Sequence, residues 1–463
     1  MRGFIFALVL FFPIFGISQP VRITGTALGA EGKSVRVFVT KDFITFLEEE
    51  VAKTRIDSAG QFSLSVDITN TVSASLSIDF HRVEMFLEPG KSYKLDIAPM
   101  NYNSTIEVNP FIQSENLQVD FRNEDPEELN ALIQQFSILH SNFLLKHFND
   151  LYRDRNIALL DTFRFEIVSS FVSTHNNYFA VYVKYKMASL EQVAKAFSPA
   201  QLAKRYFSDP PVLYENAEYM NFFNQYFTKY MIATSRSLKF IDYATILKGQ
   251  SSYEALMKAL EADTLLKKQQ LRELVMLKGL KEIYYLPGYN QENILALIKT
   301  VASQSKYPAT RLTAENISKV LTYLKTGTPA PEFTLQDRNR KTVTLSSLKG
   351  KPVLLSFWTT YCQGCLSEME AMKSLYAKYG NRMNFVSICA DREFMKMLFF
   401  IDLKKDFTWT FLHIGDQLEL LKEYDVKSYP LFVLIDGSGN IYSYPADFPG
   451  KGLEASIEKL LNP

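Results

Sequence analysis

The sequence predicts a chain of three parts: a small antiparallel β-sandwich, an all-α domain, and a C-terminal α/β domain. Three observations carry this. From about Pro20 to Asn109 apolar and polar residues alternate with a period near two. From about Glu124 to Lys325 the period becomes helical, and beyond Thr326 short apolar runs alternate with helical stretches. The chain has 463 residues, more than one core usually supports, and 47% of them are hydrophobic. The expected segments are a leader over 1–18, a β-sandwich over 19–115, a helical domain over 116–325 and the α/β domain over 326–463.

The opening residues MRGFIFALVLFFPIFGISQP carry one early positive charge, an apolar run from Phe4 to Ile17, and small residues Gly16 and Ser18 suited to cleavage. This predicts a secretory signal peptide. The run is shorter than the roughly 20 apolar residues of a spanning helix, so stable membrane insertion is not expected. No cysteine follows the run, which excludes a lipobox. The expected location is the periplasm or another exported compartment.

In the β-sandwich, runs such as Val21-Arg22-Ile23-Thr24, Val35-Arg36-Val37-Phe38-Val39 and Phe62-Ser63-Leu64-Ser65-Val66 are separated by turn residues at Asp57-Ser58-Ala59-Gly60 and Glu88-Pro89-Gly90-Lys91. In the helical domain, long runs cover Leu129 to Asp150, Ala255 to Lys278 and Ala314 to Lys325. Asp125-Pro126-Glu127-Glu128 starts the first, and Asp209-Pro210-Pro211 and Leu286-Pro287-Gly288-Tyr289 are breaks. The dense aromatics from Tyr178 to Tyr230 recur at helical spacing, which favours a core stripe over a binding groove. A net charge of +1 and the lack of any Lys/Arg cluster argue against nucleic acid and anionic membranes as partners.

Thr326-Gly327-Thr328-Pro329-Ala330-Pro331 links into the last domain, and there the chemistry gathers. Val353 to Trp358 has the length and composition of a buried strand, Leu366 to Leu375 reads as helix, and between them lie Cys362 and Cys365. The start of a helix carries unpaired N–H groups and the positive end of the macrodipole, which favour a thiolate. Cys362 is therefore expected to be the more acidic thiol, with Cys365 close enough on the same face to bridge it. Such a pair is a thiol–disulfide exchange device. Two other readings compete. A structural bridge across so short a loop gains little entropy, and a zinc site would need further ligands, for which the chain offers Cys389 and five scattered histidines. Glu368 falls near Cys365, either to move its proton or as a solvated helix charge. Cys389, in an apolar strand, reads as a buried inert thiol.

The C-terminal part resembles the thioredoxin-fold domain of the TlpA-like thiol–disulfide oxidoreductases. The likeness runs through Thr328 to Leu335, Val343 to Lys351, Phe357-Trp358 with the Cys-x-x-Cys, Ser428-Tyr429-Pro430 with Leu431 to Asp436, and Gly437 to Ile441. The layout of the β region resembles domains that precede such modules in exported Bacteroidota proteins. The resemblance implies a cis Pro430 packed across from the cysteines, a Tyr429 backbone that holds an extended partner segment, and an acid at Glu368. Trp358 and Tyr361 are expected beside them as substrate-positioning residues. It also implies protein thiols and disulfides as partners and a membrane thiol transporter as electron donor. No cofactor and no metal are expected.

Departures from the pattern leave redox potential and substrate choice open. Tyr361 stands where the family usually has Trp, Gln363-Gly364 replaces a pairing with Pro, Leu431 follows the proline where Thr is usual, and Ser356 stands where thioredoxin has a buried acid. A peroxiredoxin site matches at Thr359 but wants proline where Leu355 stands, and is rejected. The expected function is thus an exported thiol–disulfide oxidoreductase that reduces protein disulfides. The alternative is an extracytoplasmic binding or scaffold protein whose thioredoxin domain is structural.

Overall fold

Alternation of inward and outward residues builds the first two sheets. β4 (Gln61–Ile68) buries Phe62, Leu64, Val66 and Ile68 and exposes every residue between them, the pattern of a strand with one face on a core. With β1 (Gln19–Ala27), β2 (Ser34–Thr40), β3 (Glu48–Arg55), β5 (Val72–Ile78), β6 (His81–Leu87), β7 (Ser92–Ile97), β8 (Glu115–Asn116) and β9 (Val119–Phe121) it forms two sheets, ordered β4-β1-β7-β9 and β3-β2-β5-β6-β8. They enclose a core that includes Val21, Val37, Leu64, Leu76 and Leu95. Most pairs are antiparallel, as expected, but β1–β7 and β6–β8 are parallel. Such partners lie far apart in the chain, so no hairpin signal reveals them. β9 lies beyond residue 115 and still pairs with β7. The computed structural model describes residues 19–79, 81–99, 115–122, 125, 127–208, 211–248 and 252–462. The expected leader, Pro126 of the first helix start, and Asp209-Pro210 lie outside the described residues.

The helical region comprises α1 (Leu129–Tyr152), α2 (Ala158–Ser170), α3 (Asn177–Val193), α4 (Pro199–Ala203), α5 (Ala217–Tyr226), α6 (Tyr243–Ile246), α7 (Ser252–Leu260), α8 (Gln269–Ile283), α9 (Gln291–Gln304) and α10 (Pro308–Thr322). The aromatic stripe is core: Phe179, Tyr185, Tyr219, Phe222, Phe223 and Phe227 are all buried. The single run expected over Ala255 to Lys278 is two helices. Between them Asp263 caps a short 3₁₀ turn, Thr264–Lys267, by accepting the Leu265 amide at 3.0 Å, while its other oxygen takes the hydroxyls of Tyr230 at 2.9 Å and Ser235 at 2.6 Å. That local bond competes with the helix and wins. The loop after β2 reaches into this region: Phe43 and Ile44 join its core, and Asn316 donates to Asp42 at 2.8 Å.

The C-terminal domain is a seven-stranded sheet of β10 (Thr334–Asp337), β11 (Thr342–Thr344), β12 (Val353–Trp358), β13 (Asn384–Cys389), β14 (Thr410–His413), β15 (Leu431–Ile435) and β16 (Ile441–Ser443). Their order is β11-β10-β14-β13-β12-β15-β16, with β12 parallel to β13 and antiparallel to β15. Helices α11 (Gln363–Tyr379), α12 (Phe394–Leu403), α13 (Glu419–Glu423) and α14 (Leu453–Leu461) complete the α/β layers. All six residues of β12 are buried, as its largely apolar composition requires of a strand covered on both faces, and the one polar residue, Ser356, is buried with them. The linker is part of this domain. Pro329 bridges Asn440, Gly327 N–H donates to the Ile441 carbonyl at 2.7 Å, and Leu324 is buried in the domain's core.

Candidate active site

The buried strand β12 delivers the chain to the turn Thr359-Thr360-Tyr361, after which Cys362 caps α11. The cap is made by sulfur. Cys362 Sγ accepts the Cys365 amide at 3.1 Å, taking one of the N–H groups that a helix start leaves unpaired. The sulfur thus sits at the positive end of α11, where negative charge is favoured. Cys362 and Cys365 are joined in a disulfide. Cys365 is only 1% exposed while Cys362 is half-buried, so only one end of the bridge is open to an incoming thiol.

The structure brings the second predicted element to the same place. The Tyr429–Pro430 peptide is cis, and so, unforeseen, is Tyr444–Pro445. Half-buried Tyr429 packs with Cys362 against the cluster that holds Cys365 and Trp358. Burial pushes the Tyr429 hydroxyl well above its ordinary range, and neighbouring Tyr361, Cys389 and Asp391 add to the rise. Tyr361 is 40% exposed, open to a partner. Glu368 lies on α11 three residues past Cys365, half-buried, and makes no hydrogen bond or ion pair among the described residues.

Trp358 departs from expectation. It is fully buried, with its ring 4.7 Å from that of Phe400 and 5.7 Å from that of Phe411. It supports the site from beneath and offers no surface to a partner, because it is the last inward residue of a strand covered on both faces.

Sequence reasoning missed Asp391. This residue lies two positions past the end of β13, after Ala390, and is 2% exposed. Its carboxylate accepts the Thr360 amide, at 3.1 and 3.4 Å to its two oxygens, and the Cys389 thiol at 3.2 Å. The one available signal was an acid two residues past an apolar strand. Cys389 is fully buried, and burial, with Asp391 adding, pushes its thiol well above the ordinary range. Where an acid might have stood on β12, Ser356 shares a hydrogen bond with Ser387 at 2.8 Å, and Trp409 Nε1 donates to Ser387 at 2.9 Å. Among the described residues no group of three His, Cys, Asp or Glu is arranged to hold a metal ion, and no helix is long and apolar enough to cross a membrane.

Comparison with known proteins falls on this same domain. The AhpC/TSA family profile matches residues 326–444. The thioredoxin-like protein YneN of Bacillus subtilis is 31% identical over 130 residues, which are 27% of this chain and 75% of that protein. The thiol-disulfide oxidoreductase ResA of Bacillus thuringiensis subsp. konkukian is 30% identical over 140 residues, 30% of this chain and 78% of ResA. Among solved structures, the thioredoxin domain of a thiol-disulfide oxidoreductase from Bacteroides vulgatus is 25% identical, covering 30% of this chain and 98% of its own at a TM-score of 0.28. With a bonded Cys-x-x-Cys capping α11 and relatives of this identity matched over most of their own length, the chain belongs to the TlpA-like thiol–disulfide oxidoreductases of the thioredoxin superfamily.

Proposed function

We propose that this oxidoreductase is exported and reduces disulfides in other proteins through Cys362 and Cys365. The observation that carries the reading is the asymmetry of the bridge: one sulfur caps a helix and is partly open, the other is buried behind it.

A donor thiolate attacks Cys362, breaks the bridge and releases Cys365 as a thiolate, which takes a proton. The donor's second thiol then attacks the mixed disulfide, leaving both cysteines reduced and the donor oxidised. In the forward half, the Cys362 thiolate attacks a substrate disulfide and expels one substrate thiolate. Cys365 gives up its proton, attacks Cys362 and frees the second substrate thiol. Two electrons and two protons pass from donor to substrate in each cycle. Glu368 is assigned the Cys365 proton, the backbone before Pro430 the alignment of an extended substrate segment, and Tyr361 a contact at the open edge.

An oxidising compartment demands an outside electron source, and a membrane thiol transporter would fill that role. Removal of residues 1–18 on export belongs to the same proposal, and N-terminal sequencing of the protein recovered from the periplasmic fraction checks it. The central test is Cys365→Ala. That variant should accumulate as a mixed disulfide through Cys362 in cells, seen on non-reducing gels and lost on addition of dithiothreitol. Absence of any such species, with the protein folded and exported, sinks the reductase reading in favour of a binding or scaffold role.

A further inference from the structure

We propose that Asp391 is a positioning residue of the redox centre, whose buried carboxylate, held against the Thr360 amide behind the active-site turn, opposes the Cys362 thiolate and makes the couple more reducing. The inference rests on the reading of Cys362–Cys365 as a redox couple. The active-site turn is tied down at both ends. Thr360 N–H reaches Asp391 at 3.1 Å, and Cys362 N–H reaches the Thr359 carbonyl at 3.2 Å. The carboxylate therefore holds the backbone two residues before Cys362, in a setting only 2% exposed where water screens little. The start of α11 favours a thiolate at Cys362, while a like charge behind the turn disfavours it. The two effects oppose each other, so the thiol is less acidic, and the reduced form less stabilised, than the helix alone would make it.

Around Asp391 stand Cys389 on β13, His413 on β14 and Tyr429 before β15, with Tyr361 of the turn beside Tyr429 and Arg392 next in the chain. Burial holds His413 low, with Asp391 offsetting part of the fall, and holds Cys389 and Tyr429 high. Glu368 stands on α11, three residues past Cys365.

The experiment compares the full-length mature protein with Asp391→Asn, which keeps an oxygen for the Thr360 amide and removes the charge. Two quantities are read: the pH profile of Cys362 alkylation by iodoacetamide, and the equilibrium in which the disulfide and two glutathiones give the dithiol and glutathione disulfide. The expected result is a fall of about one unit in the Cys362 pKa and a shift of about tenfold toward the dithiol, or about 30 mV more oxidising. A merely structural Asp391 would move stability and neither of these. Should Asp391→Asn not fold, Asp391→Ser carries the same readout. A folded variant with unchanged profile and equilibrium overturns the proposal. A wild-type pair with no reversible couple overturns the redox reading itself, and the two failures are distinct.

Discussion

Ser34 and Asp416 stand 382 residues apart in the chain, yet the Ser34 hydroxyl donates to the Asp416 carboxylate at 3.0 Å. Lys53 at 3.6 Å and Arg55 at 3.7 Å face the same carboxylate, and Arg36 donates to its backbone carbonyl. One acid after β14 thus gathers three basic side chains and a hydroxyl from β2 and β3, and this fastens the C-terminal domain to the β region. Removing it with Asp416→Ala should cost about 1–2 kcal/mol, since each such partly exposed contact is worth little alone. Limited proteolysis of the linker 326–331 should quicken, while turnover of a small disulfide stays as in wild type. Unchanged cleavage would show that the seam is held elsewhere.

The same residue predicts a pH dependence. Burial works to raise its pKa, but Lys53, Ser34, Arg36 and Arg55 outweigh it and hold the carboxyl below its usual range. A carboxyl lowered on folding stabilises the folded state above the unfolded value, about 3.9, and that stabilisation is lost as pH falls through the lowered value. The difference in urea stability between wild type and Asp416→Asn should be level from about pH 5 to 7 and shrink below about pH 4.

Gly25 of β1 lies where a methyl group has no room. A Cβ there would stand 2.6 Å from Phe62 Cζ and 2.7 Å from the Leu95 carbonyl oxygen, and the latter is backbone of the neighbouring strand. Gly25→Ala should destabilise the β region by about 1–3 kcal/mol. Denaturant unfolding followed by tyrosine fluorescence measures it, and a neutral result would mean that the strands part more easily than their pairing indicates.

Ser387 is the hinge of a buried polar chain beneath the site. Ser387→Ala leaves Trp409 Nε1 and Ser356 without their 2.9 Å and 2.8 Å partners. Buried groups stripped of partners cost about 1–3 kcal/mol. Thermal unfolding of the C-terminal domain, monitored through tryptophan, should show the loss.

Glu368→Gln addresses the proton of Cys365. Proton transfer by a placed side chain contributes about 10²-fold or more, so resolution of a preformed mixed disulfide at Cys362 should slow by that order, with the first attack unchanged. Stopped-flow mixing across a pH series separates the two steps. Equal slowing of both would return Glu368 to the rank of a solvated charge.

What the sequence made legible follows from where the physics is local. β12 spans the run from Val353 to Trp358 because five apolar residues, with Ser356 the one polar residue among them, leave one solution, and the thiol pair could be set at a helix start because capping is decided within four residues. The break at Asp263 was hidden because it depends on Tyr230 and Ser235, some thirty residues upstream. The parallel β1–β7 pairing was hidden for the same reason. Trp358 was misassigned because an aromatic beside a thiol pair looks like a contact surface, and only the covering of β12 by Phe400 and Phe411 shows otherwise. Asp391 escaped notice because burial of an acid is a property of the packed molecule, whereas the string Ala390-Asp391-Arg392 reads as an exposed turn.

The way the linker lies along β16 bears on how the molecule may be divided. β16 is an outer strand of the seven-stranded sheet, and its unpaired face is met by Thr326 through Ala330, with bonds from Gly327 to Ile441, from Ile441 to Thr328 and from Ala330 to Gly439. An uncovered strand of this kind is a template for pairing with another molecule. A fragment begun after Pro331 would bare it and would also lose Leu324 from its core, inviting association through open sheet edges. One begun a few residues before Leu324 keeps its own guard, so the segment that joins the two domains also keeps copies of the second from aggregating.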